Sequence, residues 1–216
     1  MKNIKKFAFA LIAATSLIGN SSFAGVEEDV AHLQKEWEKI KYQSPSSQHE
    51  KSFEVLIKDA EKLVAQNPNQ AETMIWYAII ESSYAGAKGG LGALAHVKNA
   101  KKTLERALEI SPNALDGSAY TSLGSLYYQV PGWPIGFGDD KKATEFLRKG
   151  LAINPDGIDP NYFYGDFLFR NGDLAGAEKS LRKALQAAPR NGRKVADDGR
   201  RKEINQLLEK IAEKRK

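Results

Sequence analysis

An all-α solenoid of paired helices with a C-terminal capping helix is the fold this sequence predicts, and three observations predict it. The segment Asp156 to Pro189, DGIDPNYFYGDFLFRNGDLAGAEKSLRKALQAAP, reads as a helix, a tight turn at Asn171-Gly172-Asp173, a second helix and a proline stop. The second half recurs: AKKTLERALEISP ends at Pro112, ATEFLRKGLAINP at Pro155 and AEKSLRKALQAAP at Pro189. Each copy places Ala, then Leu four on, then Ala or Gly three further, then Leu, then Pro. Finally, no stretch shows the sustained two-residue alternation of a half-buried strand.

Residues 1–24, MKNIKKFAFALIAATSLIGNSSFA, combine a lysine-bearing start, a short apolar run and a small-residue end. They read as a secretory signal, with cleavage expected after Ala24. The run Phe7 to Gly19 is too short for a membrane anchor. The chain has no cysteine, which excludes both disulfides and a lipobox, so a soluble periplasmic or secreted form is expected. The whole sequence carries +5, and loss of Lys2, Lys5 and Lys6 with the signal leaves +2. The mature chain is about the size of one domain.

Val26 to Tyr42 is an amphipathic helix with Val30, Leu33, Trp37 and Ile40 on one face, and Ser44-Pro45-Ser46-Ser47 breaks it. A second helix, His49 to Gln66, carries Phe53, Leu56, Ala60, Leu63 and Val64, and Pro68 stops it. Residues 28–68 read as a degenerate first repeat. Units 69–112 and 113–155 are longer than unit 156–189, so each is expected to hold an insertion between its helices. In the first of these it is AGAKGGLGALAHVKN, a glycine-rich break followed by a longer second helix; in the second it is VPGWPIGFGD. Residues 190–216 read as a capping helix and basic tail. Ile204, Leu207, Leu208 and Ile211 cover the last repeat, and the opposite face is expected to meet water.

Within the best repeat, Ala177, Leu181 and Ala184 share a stripe, because steps of four and three return to one helix face. The small members let a neighbouring helix approach, and Gly165 is the expected point of closest contact. Asp173 is placed to cap the second helix. Against the pattern W-x-x-L-G-x-x-Y…A-x-x-x-F-x-x-A…P, this copy supplies Asn161, Tyr164, Gly165, Leu168, Ala177, Leu181, Ala184 and Pro189. The preceding copy supplies Tyr120, Leu123, Gly124, Tyr127, Ala143, Leu147, Gly150 and Pro155. The chain therefore resembles tetratricopeptide repeat (TPR) proteins, departing at Asn161, where the pattern has Trp. The resemblance implies a right-handed α-solenoid whose first helices line a concave, partner-binding groove. The groove positions it implies here are Thr121, Ser125, Tyr128, Gln129, Tyr162, Asp166, Phe169 and Arg170.

Catalytic chemistry is not nominated by any motif. His32, His49 and His96 lie far apart with no ligand spacing, and without cysteine a zinc site is not expected. The run Gly86-Ala87-Lys88-Gly89-Gly90-Leu91-Gly92 lacks both the Gly-Lys-Ser/Thr ending and the preceding strand of a phosphate cradle. The expectation is a non-catalytic protein with no cofactor and no metal. Arg190 to Lys216 holds ten basic and five acidic residues, interspersed as on a solvated face, which argues against nucleic acid. The functional expectation is a protein or peptide partner in the cell envelope.

The insertion Pro131-Gly132-Trp133-Pro134-Ile135-Gly136-Phe137-Gly138 forbids a helix yet carries three large apolar side chains. Burying each is worth roughly 1.5–3 kcal/mol. Two readings are open and compatible: a plug between repeats, or the wall of a ligand pocket formed by Trp133, Ile135 and Phe137. PIGFGDDKKATEFLRKGLAINP is also similar to a segment of the periplasmic T component of TRAP solute transporters. Those proteins are lipoproteins, and this chain has no cysteine to lipidate. That likeness implies a transport accessory with a small apolar ligand and a solute-binding protein as partner.

Overall fold

The computed structural model describes residues 21–216, so the expected signal lies mostly outside the described residues. Nine α-helices and no strand appear among them: α1 (Ser21–Gln43), α2 (His49–Gln66), α3 (Ala71–Lys88), α4 (Ala93–Ile110), α5 (Ala114–Gln129), α6 (Asp140–Ile153), α7 (Ile158–Arg170), α8 (Leu174–Leu185) and α9 (Lys194–Lys214). The fold is an all-α solenoid. Its pairs are α3 with α4, α5 with α6 and α7 with α8, preceded by α1 with α2 and followed by α9.

The predicted stripes are the core. Ala100, Leu104 and Ala107 of α4, Ala143 and Leu147 of α6, and Ala177, Leu181 and Ala184 of α8 are all buried. Glycines on the facing helices let these stripes approach closely, Gly124 against Leu147 and Gly165 against Leu181. A Cβ on Gly165 would stand 2.9 Å from Leu181 Cγ and 3.3 Å from the Ala177 carbonyl. Asn161, which stands where the repeat pattern has Trp, is buried and donates to the carbonyls of Pro155 (2.9 Å) and Gly157 (2.8 Å). It ties the start of α7 to the turn before it, so no aromatic is needed there. Asp173 caps α8 through the Gly176 amide at 2.8 Å, and Asp139 caps α6 through the amides of Lys141 and Lys142.

Two expectations are corrected, and one irregularity is new. The glycine-rich break after α3 is only Gly89–Gly92; Ala85 to Lys88 and Ala93 to Asn99 are helical. The second helix of that unit is longer, as expected, at 18 residues against 12 in α8, but the first is longer as well, at 18 against 13 in α7. The start of α5 is irregular: Leu115 (φ 48°), Asp116 (φ 54°) and Gly117 (φ 74°) are left-handed. At Gly117 a side chain would also meet Ile153, so both the backbone and the space call for glycine.

The second correction concerns α9. One face does cover the last pair, with Ile204, Leu207 and Ile211 packed with Ala177, Leu181 and Ala184. The face expected to meet water is instead partly buried against α1 and α3. Ala196 joins the cluster of Trp37, Ile40 and Trp76, and Tyr42 lies where a Cβ on Gly199 would stand. Glu38, buried in α1, accepts from Arg193 Nε and the Ala196 amide, each at 3.3 Å. Lys41 pairs with Glu203 at 3.6 Å, and Arg193 lies over the Trp76 ring at 5.0 Å. Helices α1, α3, α5, α7 and α9 thus neighbour one another in a closed circuit, with α2, α4, α6 and α8 outside it.

Candidate functional site

Closing the circuit converts a groove into a cavity of about 1640 Å³, walled mainly by residues of α1, α3, α5, α7 and α9, with the start of α4 and the loops beside it. One side is mostly apolar or neutral, with Leu91, Leu94, Val97, Ser122 and Leu126. The other carries charge on Arg190, Arg193, Arg200, Asp159 and Glu203.

Six of the eight predicted groove residues line this cavity: Thr121, Ser125, Gln129, Tyr162, Asp166 and Arg170. Four of them share one polar strip with Tyr128. Tyr128 O–H donates to Asp166 at 2.8 Å, and Arg170 Nε donates to the same carboxylate at 3.1 Å. Gln129 Nε2 donates to Ser125 Oγ at 2.8 Å and to the Tyr128 oxygen at 3.2 Å, while the Arg170 guanidinium covers the Tyr128 ring at 5.2 Å. Burial, followed by the Asp166 charge, pushes the Tyr128 phenol well above its ordinary range. It is therefore a fixed donor bridging α5 and α7.

The remaining groove positions differ in role. Thr121 is buried beneath Gly150, where a Cβ would come within 2.5 Å of its hydroxyl, so it is chiefly a packing residue. Tyr162 lies under the Arg200 guanidinium at 4.2 Å. Phe169 turns away toward α9, packing with the last core cluster beneath Lys214.

The loop between α5 and α6 divides its three apolar residues. Phe137 packs edge-on against Tyr127 at 5.5 Å and joins the core, as the plug reading required. Ile135 stands at the cavity wall but is 55% exposed, and Trp133 is 90% exposed and outside that wall. Burial of all three fails for Trp133 and Ile135, and Phe137 alone packs inward on the core.

Two polar clusters were not legible in the sequence. Arg200 donates to Asp159 (2.8 Å) and Glu203 (2.6 Å), while Arg190 donates to Asp159 (2.7 Å) and Asp197 (2.7 Å). Burial works to raise the Asp159 carboxyl, but Arg200 and Arg190 together outweigh it and hold it down to about 2. In the second cluster, buried Glu81 of α3 accepts from Tyr77 O–H (2.9 Å) and Asn99 Nδ2 (3.0 Å) and lies 2.5 Å from His96 Nδ1. The only sequence signal was for the second, where Glu81 is a charged residue inside the otherwise apolar α3. No group of His, Cys, Asp and Glu suited to a metal occurs among the described residues.

The tetratricopeptide repeat family matches residues 158–191, which cover α7, α8 and the turn that follows. The match supports a TPR-type protein, a class of helical scaffolds that are generally non-catalytic and mediate protein–protein interaction. No curated protein matches the chain.

Proposed function

We propose that this chain is a non-catalytic, exported TPR protein that holds a segment of a protein partner in its central cavity. The polar strip of Ser125, Gln129, Asp166 and Arg170 carries the reading. It offers hydrogen-bonding side chains already oriented by one another along the wall, so little side-chain entropy is lost when a peptide backbone docks. The closed circuit constrains the partner: a segment enters through an open end of the ring rather than from the side.

The test places a photoreactive residue at Ser125 in cells, with Lys58 on the exposed side of α2 as control. A discrete adduct from Ser125 that is absent from Lys58 is expected; equal labelling of both sites, or none at Ser125, would overturn cavity binding. Export is checked separately by fractionation and by N-terminal sequencing, which should begin at Gly25.

A second reading is favoured by the apolar side of the same cavity. Leu91, Leu94, Val97, Leu126 and Ile135 line it, and its volume holds a small apolar solute. In that reading the protein is a transport accessory working with a solute-binding protein. Mass spectrometry of organic extracts from the purified protein distinguishes the two, since a stoichiometric co-purifying apolar molecule is expected only for the second.

A further inference from the structure

Among the described residues the exposed large apolar side chains are Val55 (57%), Leu91 (79%), Trp133 (90%) and Ile135 (55%). Three of the four stand on two loops, 89–92 and 131–138, which follow the C-terminal ends of the neighbouring inner helices α3 and α5. Gly90 and Leu91 of the first loop and Pro131 and Ile135 of the second wall the same cavity, so the two loops rim it together. Leu91 and Ile135 are exposed and line the cavity at once. Its apolar side, with Leu94, Val97 and Leu126, therefore continues out onto this rim. An exposed apolar patch of this kind marks a surface that meets something other than water.

The backbone of the rim is suited to leaving water. In the second loop Pro131 and Pro134 have no amide, the Ile135 and Gly136 amides donate to the Gly132 carbonyl at 3.2 and 3.1 Å, and the Gly138 amide donates to the Pro131 carbonyl at 3.0 Å. In the first, the carbonyls of Gly90 and Leu91 accept from the amides of Ala93 and Leu94 at 3.3 and 3.2 Å. Such internal bonding matters most in hydrocarbon, where no water replaces a missing partner. Phe137 anchors the second loop on Tyr127, so its tip is held ready and burying Trp133 costs little ordering. The tip is convex: a protein would need a matching socket for Trp133, whereas a fluid bilayer closes around any shape. Tryptophan also suits the bilayer interface, where its ring is buried and its N–H stays at headgroup level. Exposed Asp139, Asp140, Lys141 and Lys142 flank the loop, so neither sign predominates and apolar area is the driving force.

We propose that this rim docks reversibly on a lipid bilayer, with Leu91, Trp133 and Ile135 entering the interface and the adjoining mouth of the cavity facing the membrane. Docking goes beyond cavity binding and does not depend on what the cavity holds. It sets the apolar wall of the cavity beside hydrocarbon rather than water.

Vesicles of phosphatidylethanolamine and phosphatidylglycerol test it on the purified protein. Trp37 and Trp76 are buried, so a change in tryptophan emission on adding lipid reports Trp133. The protein should sediment with the vesicles, its emission should move to shorter wavelength, and lipids brominated along the acyl chain should quench it. High salt should leave all three unchanged. Replacing Leu91→Ser and Ile135→Ser together should raise the lipid concentration for half-binding by on the order of tenfold or more, with unchanged melting. Val55→Ser, on the exposed side of α2, should bind like the wild type. Absence of sedimentation with unchanged emission would overturn the proposal. So would binding that high salt abolishes, or a double variant that binds like the wild type. Emission that shifts with soluble envelope proteins but not with vesicles would give the rim to a protein partner and overturn it equally.

Discussion

Replacing Gly124 by alanine adds one methyl group at the point where α5 meets α6. In the structure that Cβ would lie 2.6 Å from Leu147 Cγ, 2.8 Å from Cδ2 and 3.0 Å from the Leu147 backbone nitrogen. Leu147 is 1% exposed and cannot swing aside, and its backbone is part of α6. The helices must separate, at about 1–3 kcal/mol of overpacking, offset by up to ~1 kcal/mol of helix propensity. At Gly165 the same methyl would be 2.9 Å from Leu181 Cγ and 3.3 Å from the Ala177 carbonyl, a milder overlap. Gly165→Ala should be near neutral to mildly destabilising, whereas Gly165→Leu should cost upwards of ~1–3 kcal/mol. Gly86, inside α3 with nothing within 4 Å of its would-be Cβ, isolates propensity alone, and alanine there should stabilise by up to ~1 kcal/mol. Thermal melts read the order directly, since ~1 kcal/mol moves the midpoint by roughly 2–4 °C in a chain of this size. The expected ranking is Gly86→Ala above wild type, Gly165→Ala at or just below it, and Gly124→Ala lowest. A Gly124→Ala protein that melts with Gly86→Ala would refute the helix contact and the register of α5.

The depressed carboxyl of Asp159 predicts an acid transition. Its folded pKa of about 2 lies below the unfolded value near 4, so its contribution is present above that range and is lost as pH falls from about 4 to 2. Wild-type stability should fall by on the order of 2 kcal/mol across that window, and Asp159→Asn should lose a similar amount at neutral pH and show a flatter profile below 4. Glu38→Ala removes the buried carboxylate that receives Arg193 and the Ala196 amide, leaving a largely buried guanidinium over Trp76; a loss of roughly 3–5 kcal/mol is expected in denaturant titration. Hydrogen exchange should rise first in α1 and the start of α9, and uniform protection in that variant would argue against a seam.

The helical character of the chain, its pairing and the buried stripes of α4, α6 and α8 were legible because they rest on local, periodic physics. Small and large apolar residues recur at steps of three and four, and prolines end each copy. Helix caps were legible for the same reason, since Asp173 acts on an amide three residues away. The groove positions of α5 and α7 could be placed from the register of two well-matched copies, and most of them line one wall.

What tertiary structure alone decided lies between residues far apart in the chain. Glu38 meets Arg193 across more than 150 positions, and Arg200 and Arg190 share Asp159 across a helical pair. No period encodes such contacts, because each pairs one charged residue among many with one other. The same holds for α9, whose charged composition read as a solvated face but whose Arg200 pairs with Asp159 of α7, while Arg193 at its N-terminus pairs with Glu38 of α1. The loop at Trp133 is the reverse case: composition argued for burial, and backbone bonds within the loop decided that Phe137 turns in and Trp133 turns out. Periodicity determines which face of a helix is buried, whereas the summed rotation of successive pairs determines what the ends of the array meet. Here that rotation brings α9 against α1, and the groove becomes a cavity.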